Sequence, residues 1–172
     1  VNLNKLHKLL GDISISFEFS AQTKESETIL NGENVEELIR GIEVSNNVSI
    51  IAQIKDVRKK LIALQQEIGF SKNVVMDGRD IGTKVFPGAK LKLFITADSE
   101  IRARRRYDEL VGKGDVVTYY EVLENLNVRD AHDVNREINP LLQAKDAVLI
   151  DNSDLSITDQ NILIKDLINR LK

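Results

Sequence analysis

Hydrophobic and polar positions in the first part of the chain follow two different periods. Leucines at 3, 6, 9 and 10 lie on one helical face, which predicts a helix within the segment 3–12, with its end at Gly11. Residues 13–19 and 26–35 instead alternate between apolar and polar side chains, and Asn31-Gly32 is a hairpin signal. The alternation predicts a small block of antiparallel strands.

Helical spacing returns after this block. Residues 35–51 predict a helix that is broken near Gly41. From Ile54 to Ile68 the apolar residues recur on one face, which predicts an amphipathic helix closed by Gly69.

The second half of the chain alternates apolar strands with helices. The predicted strands cover 74–78, 91–97 and 147–151, and the predicted helices cover 99–113, 118–137 and 158–171. Ser99 is the expected N-cap of the first of these helices. Continuous apolar strands that alternate with helices are typical of a parallel sheet covered on both faces, so the fold class is α/β.

Composition narrows the class of protein further. The 172 residues suffice for one domain, with 42% hydrophobic and 30% charged residues and a net charge of −3. This charge offers no general attraction for nucleic acid or anionic membranes. Cysteine is absent, which fits a reducing cytoplasm, and no apolar run approaches the roughly 20 residues of a membrane-spanning helix.

Charged residues interrupt the chain directly after the strand predicted at 74–78. Asp77, Arg79 and Asp80 form the segment DGRD at the carboxyl end of this strand, where open parallel sheets bind their ligands. An Asp-Gly turn on the surface would give the same sequence. Both interpretations stay open from position alone.

Other arginines raise the same question. Arg58 shares the apolar face of its helix, so it lines a polar cavity or extends its charged end to solvent. Arg129, Asp133 and Arg136 are spaced along one predicted helical face, which suits either intrahelical ion pairs or a ligand.

The run RARRRY at 102–107 could form a solvated face, bind nucleic acid or hold phosphate groups. Without an aromatic RNA-binding motif, and with an acidic net charge, nucleic acid is disfavoured. His7 and His132 lack a second ligand at metal spacing, so we interpret both as structural or surface residues.

Four segments together resemble the bacterial cytidylate kinases, a family of P-loop nucleoside monophosphate kinases. They are NGENVEELIRGIEVSNNVS, VRKKLIALQQ, VVMDGRDIGTKVFPGAKLKLFITADSEIRARRRYDEL and NVRDAHDVNREINPLLQAKDAVLIDNS. They keep the family's order and spacing through almost all of the chain. DGRDIGT-VFP is the most specific of the motifs, and RD-x-x-D-x-N-R supports it.

The resemblance implies a P-loop-kinase-like parallel sheet flanked by helices, with a helical lid and a small antiparallel CMP-binding insert. Residues 1–12 and 53–172 would form the kinase core, with the lid at about 102–136, and residues 13–52 would form the insert. The activity implied is transfer of the ATP γ-phosphoryl group to CMP or dCMP with Mg²⁺, in a cytoplasmic monomer.

Site residues carry over position by position. Ser49, Arg58 and Asp80 match residues that hydrogen-bond cytosine, Asp133 matches the residue that holds the pentose, and Arg79 and Arg136 match arginines near the CMP phosphate and sugar. Arg105 and Arg129, together with Arg102, match lid arginines that approach the transferring phosphates. Asp77 receives no role. His132 and Val134 stand where relatives often carry basic residues, so fewer lid contacts are expected.

One motif of the family does not occur in the chain. No glycine begins the P-loop pattern G-x-x-x-x-G-K-[ST], which cradles ATP phosphates. We expect that roughly 50–60 residues ahead of Val1 carry it, judging by usual domain sizes. The alternatives are a P-loop-less protein that binds cytidine nucleotides without catalysis, or an inactive remnant whose charges only form ion pairs.

Overall fold

A computed structural model describes residues 3–22, 24–70 and 73–171, and the side chains of Leu3, Asn4, His7, Ile42 and Ser49 lie outside the description. The chain divides into unit 1, residues 1–74, and unit 2, residues 75–172. The domain boundaries expected from the resemblance stay a prediction.

Unit 1 begins with a helix and a hairpin. Helix α1 (Leu3–Asp12) precedes the antiparallel strands β1 (Ile15–Phe19), β2 (Ser26–Leu30) and β3 (Glu33–Asn34), which pair in the order β1-β2-β3. Asn31 and Gly32 both have positive φ, 51° and 87°, as the tight turn between two such strands requires. The predicted antiparallel block and its turn are therefore confirmed.

Three helices complete unit 1. They are α2 (Glu36–Arg40), α3 (Ile42–Ala52) and α4 (Lys55–Phe70), and the predicted break at Gly41 separates the first two. Gly41 has extended backbone angles, φ −67° and ψ 158°, so the helix stops there. Glu36 ties α2 to the sheet, because its Oε2 accepts hydrogen bonds from the backbone and hydroxyl of Thr28.

A parallel pair of strands organises unit 2. Strand β4 (Leu93–Thr96) pairs with β5 (Val148–Asp151), with Leu93 opposite Val148 and Thr96 opposite Asp151. Helices α5 (Ser99–Gly112) and α6 (Tyr119–Val134) connect the strands, and α7 (Ile157–Asn169) follows. The predicted parallel ladder with helical connections is confirmed.

The strand predicted at 74–78 does not form. These residues join no ladder among the described residues, and Val75 is fully exposed. A strand exists only through hydrogen bonds to a neighbour, and apolar side chains cannot supply that partner. In place of a simple loop, residues Ile81–Val85 then form one turn of π-helix, here called the π turn.

Two helix ends also differ from the expectation. Asp98, not Ser99, is the N-cap of α5, since its Oδ1 accepts from the backbone of Glu100 at 2.8 Å. Helix α6 ends at Val134 rather than 137, and its C-cap Asn135 donates to Ala131 O through both its backbone N, at 3.0 Å, and its side-chain Nδ2, at 2.8 Å. Arg136 therefore lies beyond the helix.

Helices α5 and α6 pack as a hairpin. Ala103 and Leu110 of α5 and Val122 of α6 are buried. The Tyr107 ring of α5 and the Tyr119 ring at the start of α6 meet edge to face, with their centres 6.3 Å apart. The Arg104 guanidinium lies 4.5 Å from the Tyr119 ring centre, a cation–π distance.

We predict that Ala103→Leu lowers the free energy of unfolding by about 1–3 kcal/mol, because Ala103 is completely buried and the added carbons must displace well-packed neighbours. Urea unfolding of the full-length protein measures the change. Ala131→Leu is the matched control, since Ala131 is exposed on α6. Equal effects at the two positions would contradict the described packing.

Candidate functional site

The segment DGRD carries charged groups into the start of the π turn. Gly78 allows the chain to pass Ile81 closely, because a Cβ at Gly78 would lie 2.9 Å from Ile81 Cγ1. The carbonyl of Asp80 accepts from Lys84 N at 2.8 Å and from Val85 N at 3.2 Å. Asp80 and its neighbour Arg79 are thus held at the first residues of an ordered turn.

Asp133 joins two arginines that are distant along the chain. Its Oδ2 accepts a hydrogen bond from Arg79 Nε at 2.9 Å, and its Oδ1 lies 3.0 Å from Arg136 Nη2. The Asp133 and Arg136 side chains are only 13% and 7% exposed. The backbone carbonyl of Asp133 also accepts from Leu141 N at 2.8 Å, which folds the chain back after α6.

This geometry adds a tertiary contact to the Arg129–Asp133–Arg136 spacing. The Asp133–Arg136 pair does form, but the second carboxylate oxygen binds Arg79 from a different part of unit 2. A simple series of ion pairs along one helix would not need that contact. The arrangement is a tertiary cluster of charges.

Arg129 lies half-buried near the same cluster. Burial lowers the pKa of Arg129, the positive charge of Arg79 lowers it further, and Asp133 partly offsets both effects. Arg129 nevertheless stays charged at neutral pH, as arginine does in proteins. Several cations therefore share one region, which favours an incoming anion.

Arg106 belongs to this positive region and is missing from the sequence-based assignment. Its charge is also among those that lower the pKa of Arg129, and its Nη1 donates to Glu109 Oε2 at 2.8 Å. The run RARRRY indicated the region but could not show which of its arginines influences Arg129.

Two further arginines of α5 bind the ends of the parallel strands. Arg102 Nε donates to Ala97 O just after β4, at 2.9 Å, and its Nη1 donates to Asp130 Oδ2 on α6 at 2.6 Å. Arg105 donates to Asn152 Oδ1, Asn152 O and Ser153 O just after β5, at 3.0, 2.8 and 3.2 Å. The carboxyl ends of both strands thus carry guanidinium groups.

The predicted base-contacting residues divide between the two units. Arg58 is buried in unit 1, where its Nη1 donates to Ala52 O at 3.3 Å. Its guanidinium group therefore does not simply extend to solvent. Asp80 belongs to unit 2 and is half-buried. Ser49 lies in α3, but its side chain is outside the described residues, so their common role stays a prediction.

The two histidines take no part in these contacts as far as they are described. His132 is exposed on α6, as expected for a surface residue, and the side chain of His7 lies outside the described residues. Within the described part of the chain, no group of three or more acidic, histidine or cysteine residues is arranged to hold a metal ion.

Fold and charge together define an α/β protein with arginines gathered at the carboxyl ends of parallel strands, a site suited to phosphate groups. The family model for cytidylate kinase matches residues 1–170. The chain therefore belongs to the cytidylate kinase family.

Relatives agree with the family model. A cytidylate kinase of Bacteroides fragilis is 51% identical over 160 residues, which cover 93% of this chain and 70% of that protein. One of Flavobacterium johnsoniae is 51% identical over 168 residues, covering 98% of this chain and 73% of that protein. One of Parabacteroides distasonis is 53% identical over 156 residues, covering 91% and 68%.

We predict that Asp133→Asn lowers the free energy of unfolding by about 3 kcal/mol, because Arg136 is nearly buried and loses its counter-charge. Chemical denaturation at neutral pH measures this. Asp166→Asn is the control, since the Asp166–Arg170 pair is exposed and should be worth less than about 0.5 kcal/mol. A loss at Asp133 no larger than the control's would contradict the proposed clustering.

Proposed function

We propose that the protein transfers the γ-phosphoryl group of ATP to CMP or dCMP, giving CDP or dCDP for pyrimidine nucleotide metabolism. The observation that carries the proposal is the contact of Asp133 with both Arg79 and Arg136 beside the half-buried Arg129, in a member of the cytidylate kinase family. This cluster combines a hydroxyl acceptor with phosphate-binding groups.

In this proposal the contacts of Asp133 are exchanged when CMP binds. The CMP phosphate supplies negative charge to Arg79 and Arg136, and guanidinium groups bind phosphate oxygens in pairs. The pentose hydroxyls then donate to the Asp133 carboxylate, which accepts through both oxygens. Each charged group has an opposite charge or a hydrogen-bond partner before and after the exchange.

Arg129 and Arg105 act on the transferring phosphoryl group, with Arg102 beside them. Negative charge in the transition state spreads over the phosphoryl oxygens, and positioned arginines stabilise it without forming a covalent intermediate. Arg105 contacts only uncharged oxygens of Asn152 and Ser153 in the hydrogen bonds given above. It can exchange these for phosphate without leaving a carboxylate uncompensated.

Ser49, Arg58 and Asp80 are the residues proposed to contact the cytosine ring. Cytosine presents an amino donor beside ring acceptors, so a carboxylate and a guanidinium can read complementary groups. The buried position of Arg58 and its bond to Ala52 O support this, because a fixed guanidinium is a selective donor.

Mg²⁺ would bind mainly through the phosphates of ATP. Mg²⁺ keeps several waters and takes few protein carboxylates when substrate phosphates are present. This chemistry fits a chain in whose described part no ready-made cluster of metal ligands is found. When bound, the ion supplies charge neutralisation at the β- and γ-phosphates.

We further propose a cytoplasmic monomer that acts on small nucleotides. No helix within the described ranges has the length and apolar character needed to cross a membrane. In the run at 102–107, Arg102, Arg104 and Arg106 make intramolecular contacts, which supports a role other than nucleic-acid binding.

The substrate assignment predicts that ATP consumption by the full-length protein depends on CMP or dCMP. ADP release, measured by a coupled assay with Mg²⁺, should rise at least about 100-fold when either is added, since phosphoryl transfer needs a positioned acceptor. AMP, GMP and UMP are the comparison acceptors. Equal stimulation by AMP or GMP would refute the assignment, and CMP binding by calorimetry without ADP release would favour a binding protein.

Arg129→Met should lower kcat for CMP by roughly 10²–10³-fold with a smaller change in KM, because the guanidinium acts mostly on charge that develops in the transition state. Steady-state kinetics measure both constants. Arg104→Met is the matched control, because Arg104 packs on Tyr119 instead. If Arg129→Met raised KM without lowering kcat, Arg129 would be a substrate-binding residue and not a catalytic one.

A further inference from the structure

Lys92 is a buried charged residue outside the proposed nucleotide contacts. Its side chain is 7% exposed, and its Nζ donates to Pro87 O and to both oxygens of Asp146, at 2.9 and 2.7 Å for the latter. The three ammonium protons thus have three acceptors. The hydrogen bond from Lys92 lowers the pKa of the Asp146 carboxyl, and a backbone hydrogen bond adds to the effect.

The stem of Lys92 fills the space beside the π turn. A Cβ placed on Gly82 would lie 3.3 Å from Lys92 Cδ and 3.5 Å from its Cγ. Gly82 is two residues after Asp80 in the chain. The lysine stem therefore lies close beneath the backbone that directly follows DGRD.

The same side chain also fixes the next turn. Ala89 N donates to Phe86 O at 3.1 Å, so Pro87 and Gly88 occupy the middle of a tight turn. The carbonyl of Pro87 within this turn is an acceptor of Lys92 Nζ. Lys92 thus contacts the loop over 81–91 at two places and closes it on itself.

The position of the π turn determines where Asp80 and Arg79 lie. The Asp80 carbonyl accepts the first bonds of the turn, and the turn is anchored on its other side by the buried Val85. A shift of the turn toward an empty space below Gly82 would move Asp80 with it. It would also lengthen the contact from Arg79 Nε to Asp133 Oδ2.

We propose that Lys92 is a positioning residue for the nucleotide acceptor: it holds the π turn so that Arg79 and Asp80 meet CMP in the correct place. The identity of the ligand in this proposal rests on the proposed function. The series of contacts from Lys92 to Asp80 is independent of it. A partly exposed ion pair such as Lys92–Asp146 contributes little stability by itself. The geometric role is therefore the distinctive one.

The test is Lys92→Met in the full-length protein, which keeps most of the stem and removes the ammonium group. We expect about a 10-fold weaker Kd for CMP by calorimetry, the scale of one misaligned charge-assisted hydrogen bond. The KM for ATP should change by less than about twofold, and kcat by less than about threefold, because only acceptor binding is misaligned. Lys90→Met is the matched control, since Lys90 is exposed on the same segment.

A double-mutant cycle separates positioning from general stability. In an Arg79→Ala background, Lys92→Met should weaken CMP binding by less than about threefold, because part of its effect passes through Arg79. If the fold-losses in CMP affinity of the two single variants multiply fully in the double variant, the proposal is overturned. So would parallel losses of CMP and ATP affinity, or an unchanged Kd for CMP in a variant with a lowered Tm.

Two measurements keep the test decisive if Lys92→Met folds poorly or if wild type does not bind CMP. Asp146→Asn leaves the lysine stem in place and should weaken CMP binding by about two- to fourfold, the share of one partly exposed ionic contact; no change would count against the proposal. Amide hydrogen exchange at residues 84–86 should accelerate in either variant, independently of any ligand. If the protein does not bind CMP but amide exchange at 84–86 accelerates in the variants, CMP is refuted as the ligand and the positioning role of Lys92 stands. If amide exchange at these residues is unaltered, the positioning role itself is refuted.

Discussion

Charge compensation at Asp133 is the constraint on which the rest of unit 2 depends. Arg136 is nearly buried, and a buried guanidinium without a counter-charge would cost several kcal/mol. Asp133 meets this need from the last turn of α6 and uses its second oxygen for Arg79. One carboxylate therefore fixes three segments: the end of α6, the chain that returns after it, and DGRD.

Arg105 of α5 adds positive charge that its described hydrogen bonds do not cancel. Arg105 donates to neutral oxygens after β5, so these bonds orient the guanidinium without removing its charge. Arg102 shares its charge with Asp130. Burial lowers the pKa of Arg129, and the nearby positive charge of Arg79 lowers it further. The protein as a whole has a net charge of −3, so the positive region is local. Such a region at the carboxyl ends of parallel strands favours phosphate over any ligand that lacks charge.

Local patterns predicted most helices, two of the strands and their parallel direction, since the apolar period, Gly41 and the Asn31-Gly32 turn are properties of short segments. The strand at 74–78 could not be predicted the same way, because a ladder depends on a neighbour that local sequence does not specify. The candidate site residues came largely from motifs, because the contact of Asp133 with Arg79 joins distant segments. The spacing of Arg129, Asp133 and Arg136 alone suited either helical ion pairs or a ligand. Arg106 was missed because a run of arginines does not show which of its charges acts on Arg129. Lys92 falls within the strand predicted at 91–97, where the sequence pattern gives it no special role, and only its acceptors distinguish it.

The exchange of partners at Asp133 has a consequence for selectivity under the proposed function. Arg79 and Arg136 have a counter-charge before the nucleotide binds, so the nucleotide phosphate replaces one ionic contact with another. The net free energy of binding from the phosphate is therefore smaller than its attraction to the two arginines alone. A phosphate group alone therefore discriminates poorly among nucleotides. Discrimination must come from contacts with the base itself, and Asp80 is the proposed base-contacting residue in unit 2. Its value depends on being held within a fraction of an ångström, because hydrogen bonds weaken steeply when misaligned. The buried lysine beneath the π turn thus bears on which nucleotide is accepted, although it contacts none.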